Sequence, residues 1–173
     1  MIWPKRMSGE ESLLPSSPLV IGWREWIALP DLTIDAVKVK TDTGARTSAL
    51  HADAIERFSA NGQPMLRFIV HPLQRARDLE VHCEAEMIDE RFVRSSHGHQ
   101  QLRPVIRTPI EILGVRWEIE LTLTNRDVMG FRMLLGREAM RGHILVDPGR
   151  SYLGNPSPWT IPRLPVRRAT ASG

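Results

Sequence analysis

Residues 40–50 read KTDTGARTSAL and carry the most informative pattern in this chain. The strand leading into them places Val37 and Val39 on one face and Lys38 and Lys40 on the other, the alternation of a half-buried strand. The strand then meets Asp-Thr-Gly, which suits a tight turn because Asp and Thr bond nearby backbone and Gly accepts a positive φ. The aspartate is therefore either a structural cap or a carboxylate placed for chemistry.

Short strands are predicted on both sides of this turn. Their apolar, alternating or β-branched composition, bounded by Pro and Gly, is found at 21–29, 34–40, 65–71, 79–83, 109–113, 117–123, 133–135 and 144–146. Residues 109–123 read as a hairpin around Gly114. Helix is predicted only as single turns at 53–58 and 137–141. The chain is therefore expected to be mainly β, as a barrel or a sandwich.

A second motif lies farther along the chain, where residues 133–140 read MLLGREAM. Together with IGWRE at 21–25 and DTGARTSAL at 42–50, it resembles the retropepsin-like aspartic peptidases over roughly residues 20–153. The chain is most similar to a bacterial branch often labelled "ATP-dependent zinc proteases" and encoded near ATP-grasp ligases. The resemblance implies a closed barrel with one short C-terminal helix.

The resemblance also implies roles for particular residues. Asp42 would be the catalytic residue, Thr43 would bond across a two-fold axis, and Gly44 would let two turns approach. The expected substrate-binding residues are Ala45, Thr47, Ser48, His97, Gly98 and Arg103. Structural support is expected from Leu135, Gly136 and Arg137.

The chemistry of such a site requires two carboxylates. When two carboxyl groups lie close together they share one proton, so one activates water while the other donates to the carbonyl oxygen. This sequence contains Asp-Thr-Gly once, at Asp42. An isologous dimer would place Asp42 opposite its own copy, so the predicted partner is a second copy of the chain.

One position departs from the retroviral pattern. The fourth residue after the catalytic aspartate is usually acidic there and pairs with the arginine of the Gly-Arg motif, whereas this chain has Arg46. Arg137 is therefore expected to pair with another acid, and Glu138, Asp53 and Glu56 are the possibilities.

A flap over the substrate is predicted at residues 92–99, whose polar tip contains His97 and Gly98. An ordinary exposed hairpin or loop would explain the same pattern. Arg103, just beyond, would meet a substrate carboxylate or act as a surface salt-bridge partner.

Neither a metal nor a cofactor is predicted. The six histidines never form His-Glu-x-x-His, and no Gly-x-x-x-x-Gly-Lys-Ser/Thr run suggests nucleotide binding. The single cysteine, Cys83, excludes an internal disulfide.

Length, composition and charge give the remaining expectations about domains, location and partners. The 173 residues, 42% of them hydrophobic, are enough for one domain, which we place at 19–154 between tails at 1–18 and 155–173. We expect no membrane span, no secretory signal and a cytoplasmic location. The net charge of +3 and the scattered arginines do not suggest nucleic-acid binding.

These observations support a homodimeric aspartic endopeptidase that acts on peptides or modified protein tails. A non-catalytic peptide-binding or accessory protein of the same fold is the first alternative, and a zinc metalloprotease is the second.

Overall fold

A computed structural model describes residues 17–73, 79–94, 98–125 and 130–155. Within these ranges the chain forms strands with one short helix, so the predicted mainly-β class is confirmed. The strands are β1 (Leu19–Gly22), β2 (Arg24–Leu29), β3 (Ile34–Asp42), β4 (Ser48–His51), β5 (Asp53–Ala60), β6 (Gln63–Val70), β7 (Val81–Arg94), β8 (Gln100–Ile112), β9 (Val115–Thr124), β10 (Met133–Gly136) and β11 (Ile144–Asp147), and the helix is α1 (Arg137–Met140). No helix in these ranges is long and apolar enough to cross a membrane.

Most of the described strands form one sheet, in the order β2-β3-β10-β4-β9-β8-β7-β6-β5. A further pairing of β2 with β8, at Ala28 and Glu111, joins the first six of these strands into a ring. Strands β1 and β11 pair separately in parallel. Residues 1–16 and 156–173, which make up most of the two predicted tails, lie outside the described ranges.

Two hairpins are fixed by their turns. Leu113 and Gly114 both have positive φ (52° and 75°), which gives the twist that joins β8 to β9 and confirms the predicted hairpin. Asn61 and Gly62 (52° and 77°) join β5 to β6 in the same way. The helical turn predicted at 53–58 is therefore wrong, because these residues form β5.

The predicted strand at 21–29 is interrupted at Trp23. A Cβ atom on Gly22 would lie 2.4 Å from the carbonyl oxygen of Arg150, so only glycine allows the two segments to approach here. Trp23 donates its N–H to the same oxygen at 2.9 Å. The chain consequently leaves one sheet at Gly22 and enters the other at Arg24.

The hydrophobic core is built from buried side chains of the six ring strands and of β1, β6, β7, β11 and α1. It contains fully buried side chains from most strands, each contributing about 1.5–3 kcal/mol relative to exposure. The largest are Phe68, Ile21, Ile27, Leu29, Ile34, Leu50, Leu66, Ile106, Ile110, Ile112, Leu121 and Leu123.

A buried carboxylate fastens the last described residues to the first strands. Glu25 is 0% exposed and accepts three backbone N–H groups, from Gly22 (2.7 Å), Leu153 (2.8 Å) and Gly154 (3.0 Å). Asn155 adds a side-chain bond to the N–H of Leu113 at 2.8 Å. These bonds hold residues 153–155 against β2 and the β8–β9 turn.

Candidate active site

The Asp-Thr-Gly turn begins where β3 ends, and this end of β3 lies between β10 and residues 22–23. Strand β10 lies parallel to β3, with Gly136 opposite Asp42 and Leu135 opposite Thr41. On the other side, the N–H of Thr41 donates to the carbonyl of Trp23 at 3.0 Å, and its hydroxyl donates to that of Gly22. The strand that carries Asp42 is therefore held on both edges.

One oxygen of the Asp42 carboxylate is fixed by the turn. Its Oδ1 accepts the N–H groups of Gly44 and Ala45, each at 3.0 Å. Asp42 is half-buried, whereas Thr43 and Gly44 are exposed. Within the described part of the chain, Oδ2 has no hydrogen-bond partner. The turn thus orients a carboxylate and leaves one oxygen available to a ligand.

Gly136 approaches the turn too closely for any other residue. A Cβ atom there would lie 2.5 Å from the carbonyl carbon of Thr47. The N–H of Gly136 donates to the hydroxyl of Ser48 at 3.0 Å, and the carbonyl of Ser48 accepts from Thr122 at 2.9 Å. Ser48 is only 2% exposed, so its side chain is buried against β10 and does not face solvent.

The start of α1 is joined to the far side of the turn. The N–H groups of Arg137 and Glu138 donate to the carbonyls of Ala45 (2.9 Å) and Arg46 (3.2 Å). These bonds use donors that a helix N-terminus otherwise leaves unpaired. The turn and the helix therefore form one hydrogen-bonded unit.

Arg137 contacts backbone carbonyl groups in place of the expected acidic side chain. Its Nη1 donates to the carbonyls of Gly44 (3.2 Å) and Thr43 (3.5 Å). Glu138 instead pairs with Arg141 at 3.0 Å and with Arg46 at 3.7 Å. The guanidinium therefore supports the turn directly, and the prediction of an acid at Glu138, Asp53 or Glu56 is corrected.

The other predicted site residues lie elsewhere. Gly98 and Arg103 belong to the β7–β8 hairpin, whose strands end and begin at Arg94 and Gln100, and His97 lies outside the described residues. Arg103 is 8% exposed and donates through Nε to Gln101 at 3.3 Å. Arg103 is therefore buried rather than exposed at the surface, and its bond to Gln101 stays within β8.

Two cations beside Asp42 are not among the site residues predicted from the sequence. Lys40 lies two residues before it, on the same face of β3, and Arg24 of β2 is opposite Lys40 in the antiparallel register. The alternation of Lys38 and Lys40 was visible in the sequence. The position of Arg24 was not, because it depends on strand register.

Two histidines of the described chain lie beside one carboxylate. His51 and His71 each lie 3.5 Å from a carboxylate oxygen of Asp53, at the end of β4 and after β6. Among the described residues no group of three His, Cys, Asp or Glu side chains could hold a metal. Burial raises the pKa of the Cys83 thiol to about 11, so this thiol is protonated at neutral pH.

A mainly-β chain with one Asp-Thr-Gly turn against a Gly-Arg helix start has the architecture of the retropepsin-like class. The family model described as "Retropepsin-like aspartic endopeptidase RimB" matches residues 20–157. The chain belongs to this RimB-like family.

Relatives with assigned names are longer proteins. The chain is 44% identical over 162 residues to a "probable alpha-L-glutamate ligase" of Shewanella pealeana, an alignment covering 92% of this chain and 35% of that protein. It is 46% identical over 134 residues to a protein of the same name from Parasynechococcus marenigrum, covering 78% and 29%. The chain thus spans about a third of the length of these relatives.

A solved structure has a similar fold. The crystal structure of protein Lpg0085 from Legionella pneumophila, whose function is described as unknown, matches with a TM-score of 0.65 and 28% identity. The match covers 80% of this chain and 98% of that one.

Proposed function

We propose that this protein is an aspartic endopeptidase whose catalytic centre is formed by two Asp42 carboxylates across a homodimer. The observation that carries this proposal is the state of Asp42 at the end of β3. One oxygen is held by two turn N–H groups, while the other has no described partner and lies beside the exposed Thr43 and Gly44. We also infer that the ring closed by β2 and β8 is the closed barrel of the retropepsin-like fold.

The reaction follows from a shared proton. With one carboxylate ionised and the other protonated, the ionised Asp42 removes a proton from water as the water oxygen attacks the peptide carbonyl carbon. The protonated Asp42 donates its proton to the carbonyl oxygen. Collapse of the tetrahedral intermediate breaks the C–N bond, and the amine leaves with a proton supplied by the pair.

The turn residues would serve this pair in different ways. Thr43 and Gly44 are exposed and would meet their copies at the two-fold axis, while Ala45 and Thr47 would lie beside the substrate. Gly98, just before β8, would cover it, and Arg103 would act from the same hairpin, while His97 stays a predicted substrate-binding residue outside the described ranges. Leu135, Gly136 and Arg137 would hold the turn, together with the buried Ser48.

The substrate we propose is a peptide or modified protein tail containing glutamate. The named relatives are called probable alpha-L-glutamate ligases, and this chain aligns with only about a third of each. We infer that the aligned part and the remainder of those proteins act on the same kind of glutamate-containing molecule. Hydrolysis would then reverse or trim what ligation builds.

A non-catalytic accessory role is the second candidate. It is favoured by the same alignments, in which the equivalent region makes up about a third of a protein named for ligation. In that case Asp42 would only shape the turn, and no dimer would be needed. A zinc peptidase is less well supported, because the described residues offer no three-ligand group.

The decisive experiment replaces Asp42 with Asn and measures hydrolysis of glutamate-containing peptides together with sedimentation. We expect activity to fall by several orders of magnitude while the dimer persists. Asp35→Asn is the matched control, because Asp35 is exposed on the same strand. Full activity in Asp42→Asn, or a strict monomer in the presence of peptide, would overturn the proposal.

Inhibition and pH separate the candidates further. A pair that works only when singly protonated gives a bell-shaped profile favouring mildly acidic pH. A statine-type mimic, whose hydroxyl replaces the attacking water, should inhibit, and chelators should not. Loss of activity to a chelator with recovery on zinc addition would favour the metallopeptidase.

A further inference from the structure

We propose that Arg24 and Lys40 form a carboxylate-binding subsite beside Asp42 and make the site selective for acidic peptides. The inference rests on the proposed peptide substrate, and it names residues that determine which peptide binds. Three observations define the subsite: the strand register that places the two cations side by side, the contacts that hold the Arg24 guanidinium, and the absence of a described ion pair at either cation.

Register places the two cations next to the catalytic turn. Lys40 and Asp42 point to the same face of β3, with Cα atoms about 6–7 Å apart, as expected for residues two apart in a strand. Arg24 lies directly opposite Lys40 on β2, and Leu134 of β10 flanks Lys40 on the other side. Side chains of directly opposite residues share one face, so both cations border the face that carries Asp42.

The guanidinium of Arg24 is held in a fixed position. Its Cζ lies 4.6 Å from the ring centroid of Trp23 and 5.0 Å from that of Tyr152, and its Nε donates to the hydroxyl of Ser151 at 3.1 Å. Within the described residues, Nη1 and Nη2 have no acceptor. The side chain is therefore positioned with its two terminal nitrogens available to a planar carboxylate.

Lys40 is half-buried, and its side chain makes no ion pair or hydrogen bond with any described residue. Directly opposite like charges destabilise a sheet, and partial burial removes some of the water that would screen them. A bound carboxylate between Arg24 and Lys40 would relieve this repulsion.

Cations on other parts of the described surface are arranged differently, since many have a carboxylate partner. Such pairs include Arg57 with Glu90, Arg67 with Glu84, Arg91 with Asp89 and Glu120, and Arg150 with Asp147. The absence of a described ion pair at Arg24 and Lys40 is thus a local feature and not a general property of the described surface.

Binding can be tested separately from hydrolysis by using the Asp42→Asn background. The probes are fluorescein-labelled hexaglutamate with an amidated C-terminus, the same peptide with a free C-terminus, and amidated hexaglutamine. Fluorescence anisotropy gives the Kd of each. We expect both glutamate peptides to bind more tightly than hexaglutamine.

Adding Lys40→Gln should raise the Kd of amidated hexaglutamate roughly tenfold and leave that of hexaglutamine unchanged, since one charge-assisted contact is lost. Lys40→Arg keeps the charge and should restore tight binding. Arg67→Gln removes the same charge from distant β6 and should change the Kd less than twofold. If only the free-C-terminus peptide responds to Lys40→Gln, the bound carboxylate is the terminal one, and the proposed selectivity for acidic side chains is overturned.

Three further results would overturn the inference: equal Kd values for glutamate and glutamine peptides, equal effects of Lys40→Gln and Arg67→Gln, or no measurable binding of any probe. Melting temperatures confirm that each variant is folded, and Arg24→Gln provides an independent second variant. Selective binding with no hydrolysis by the wild type would sustain the subsite while refuting the peptidase, so the two proposals fail separately.

Discussion

Gly136 and Thr47 are in direct backbone contact, and a Cβ atom on Gly136 would lie 2.5 Å from the carbonyl carbon of Thr47 and 2.6 Å from its oxygen. Both segments are backbone, so neither can rotate away as a side chain would. The contact fixes the distance between β10 and the segment that follows the Asp-Thr-Gly turn.

Gly136→Ala should therefore destabilise the protein by at least about 2 kcal/mol, because a methyl group must displace a strand or the turn. Urea unfolding at constant protein concentration measures the change. Gly149→Ala is the control, since its Cβ would lie 3.3 Å from a side-chain oxygen of Asp147 and not against backbone. Equal stability of Gly136→Ala and the wild type would contradict the contact.

Arg137→Leu should loosen the turn without unfolding the protein. The variant loses the guanidinium contacts to the carbonyls of Gly44 and Thr43, which are exposed, so we expect a stability loss of about 1 kcal/mol or less. Peptidase activity should fall roughly tenfold, because small displacements of a catalytic group reduce the rate strongly. Arg141→Gln, on the same helix, is the control, and an equal loss of activity in both variants would refute a specific role.

Glu25→Gln should be among the most destabilising single-atom changes in the described fold. In the wild type, three backbone N–H groups donate to the two carboxylate oxygens of Glu25. Glutamine has only one acceptor oxygen, and its NH₂ group would face one of these N–H donors. We expect a loss of about 3 kcal/mol, measured by urea unfolding. Glu84→Gln, at an exposed pair with Arg67, should change stability by less than about 1 kcal/mol.

Arg91→Gln should reduce stability at neutral pH more than at acidic pH. Hydrogen bonds from Arg91 hold the pKa of Glu120 below its usual 4.5 and that of Asp89 below its usual 3.8. A lowered folded-state pKa stabilises the protein above the unfolded pKa, and this contribution disappears as pH falls through the folded pKa.

The difference in melting temperature between wild type and Arg91→Gln should accordingly be constant above about pH 5 and shrink below pH 4. It should also decrease in high salt, because between 37% and 45% of each of these side chains is exposed to solvent. A difference that grows on acidification would show that the pairs do not have the assigned effect.

The sequence predicted the parts of the fold that have local signals. The β8–β9 hairpin is encoded by alternation around Gly114, and α1 by the residues after Gly136. Asn61-Gly62 is an equally strong hairpin signal, and giving it more weight would have predicted β5 in place of a helix. Pairing of Phe58 with Met65 across that turn then determines the strand.

The candidate site was predictable only as far as its motif. Asp42 and the Gly-Arg pair are visible in the sequence. The partners of Arg137 are two backbone carbonyl groups, and because every residue has a carbonyl, the sequence cannot show which ones Arg137 contacts. In the same way, no local signal marks Glu25 as the acceptor of N–H groups from residues 153 and 154. Contacts between distant backbone segments follow from the complete fold.

The three bonds of Glu25 have a consequence for how this domain would work when joined to another. Gly22 shares the Glu25 carboxylate with Leu153 and Gly154, and its carbonyl accepts the hydroxyl of Thr41, the residue before Asp42. The backbone of residues 153 and 154 therefore lies against the end of β1, and that end is hydrogen-bonded to the residue that precedes Asp42. A second enzyme tethered after residue 155 by a short flexible linker would present its product to Asp42 at an effective concentration of about a millimolar.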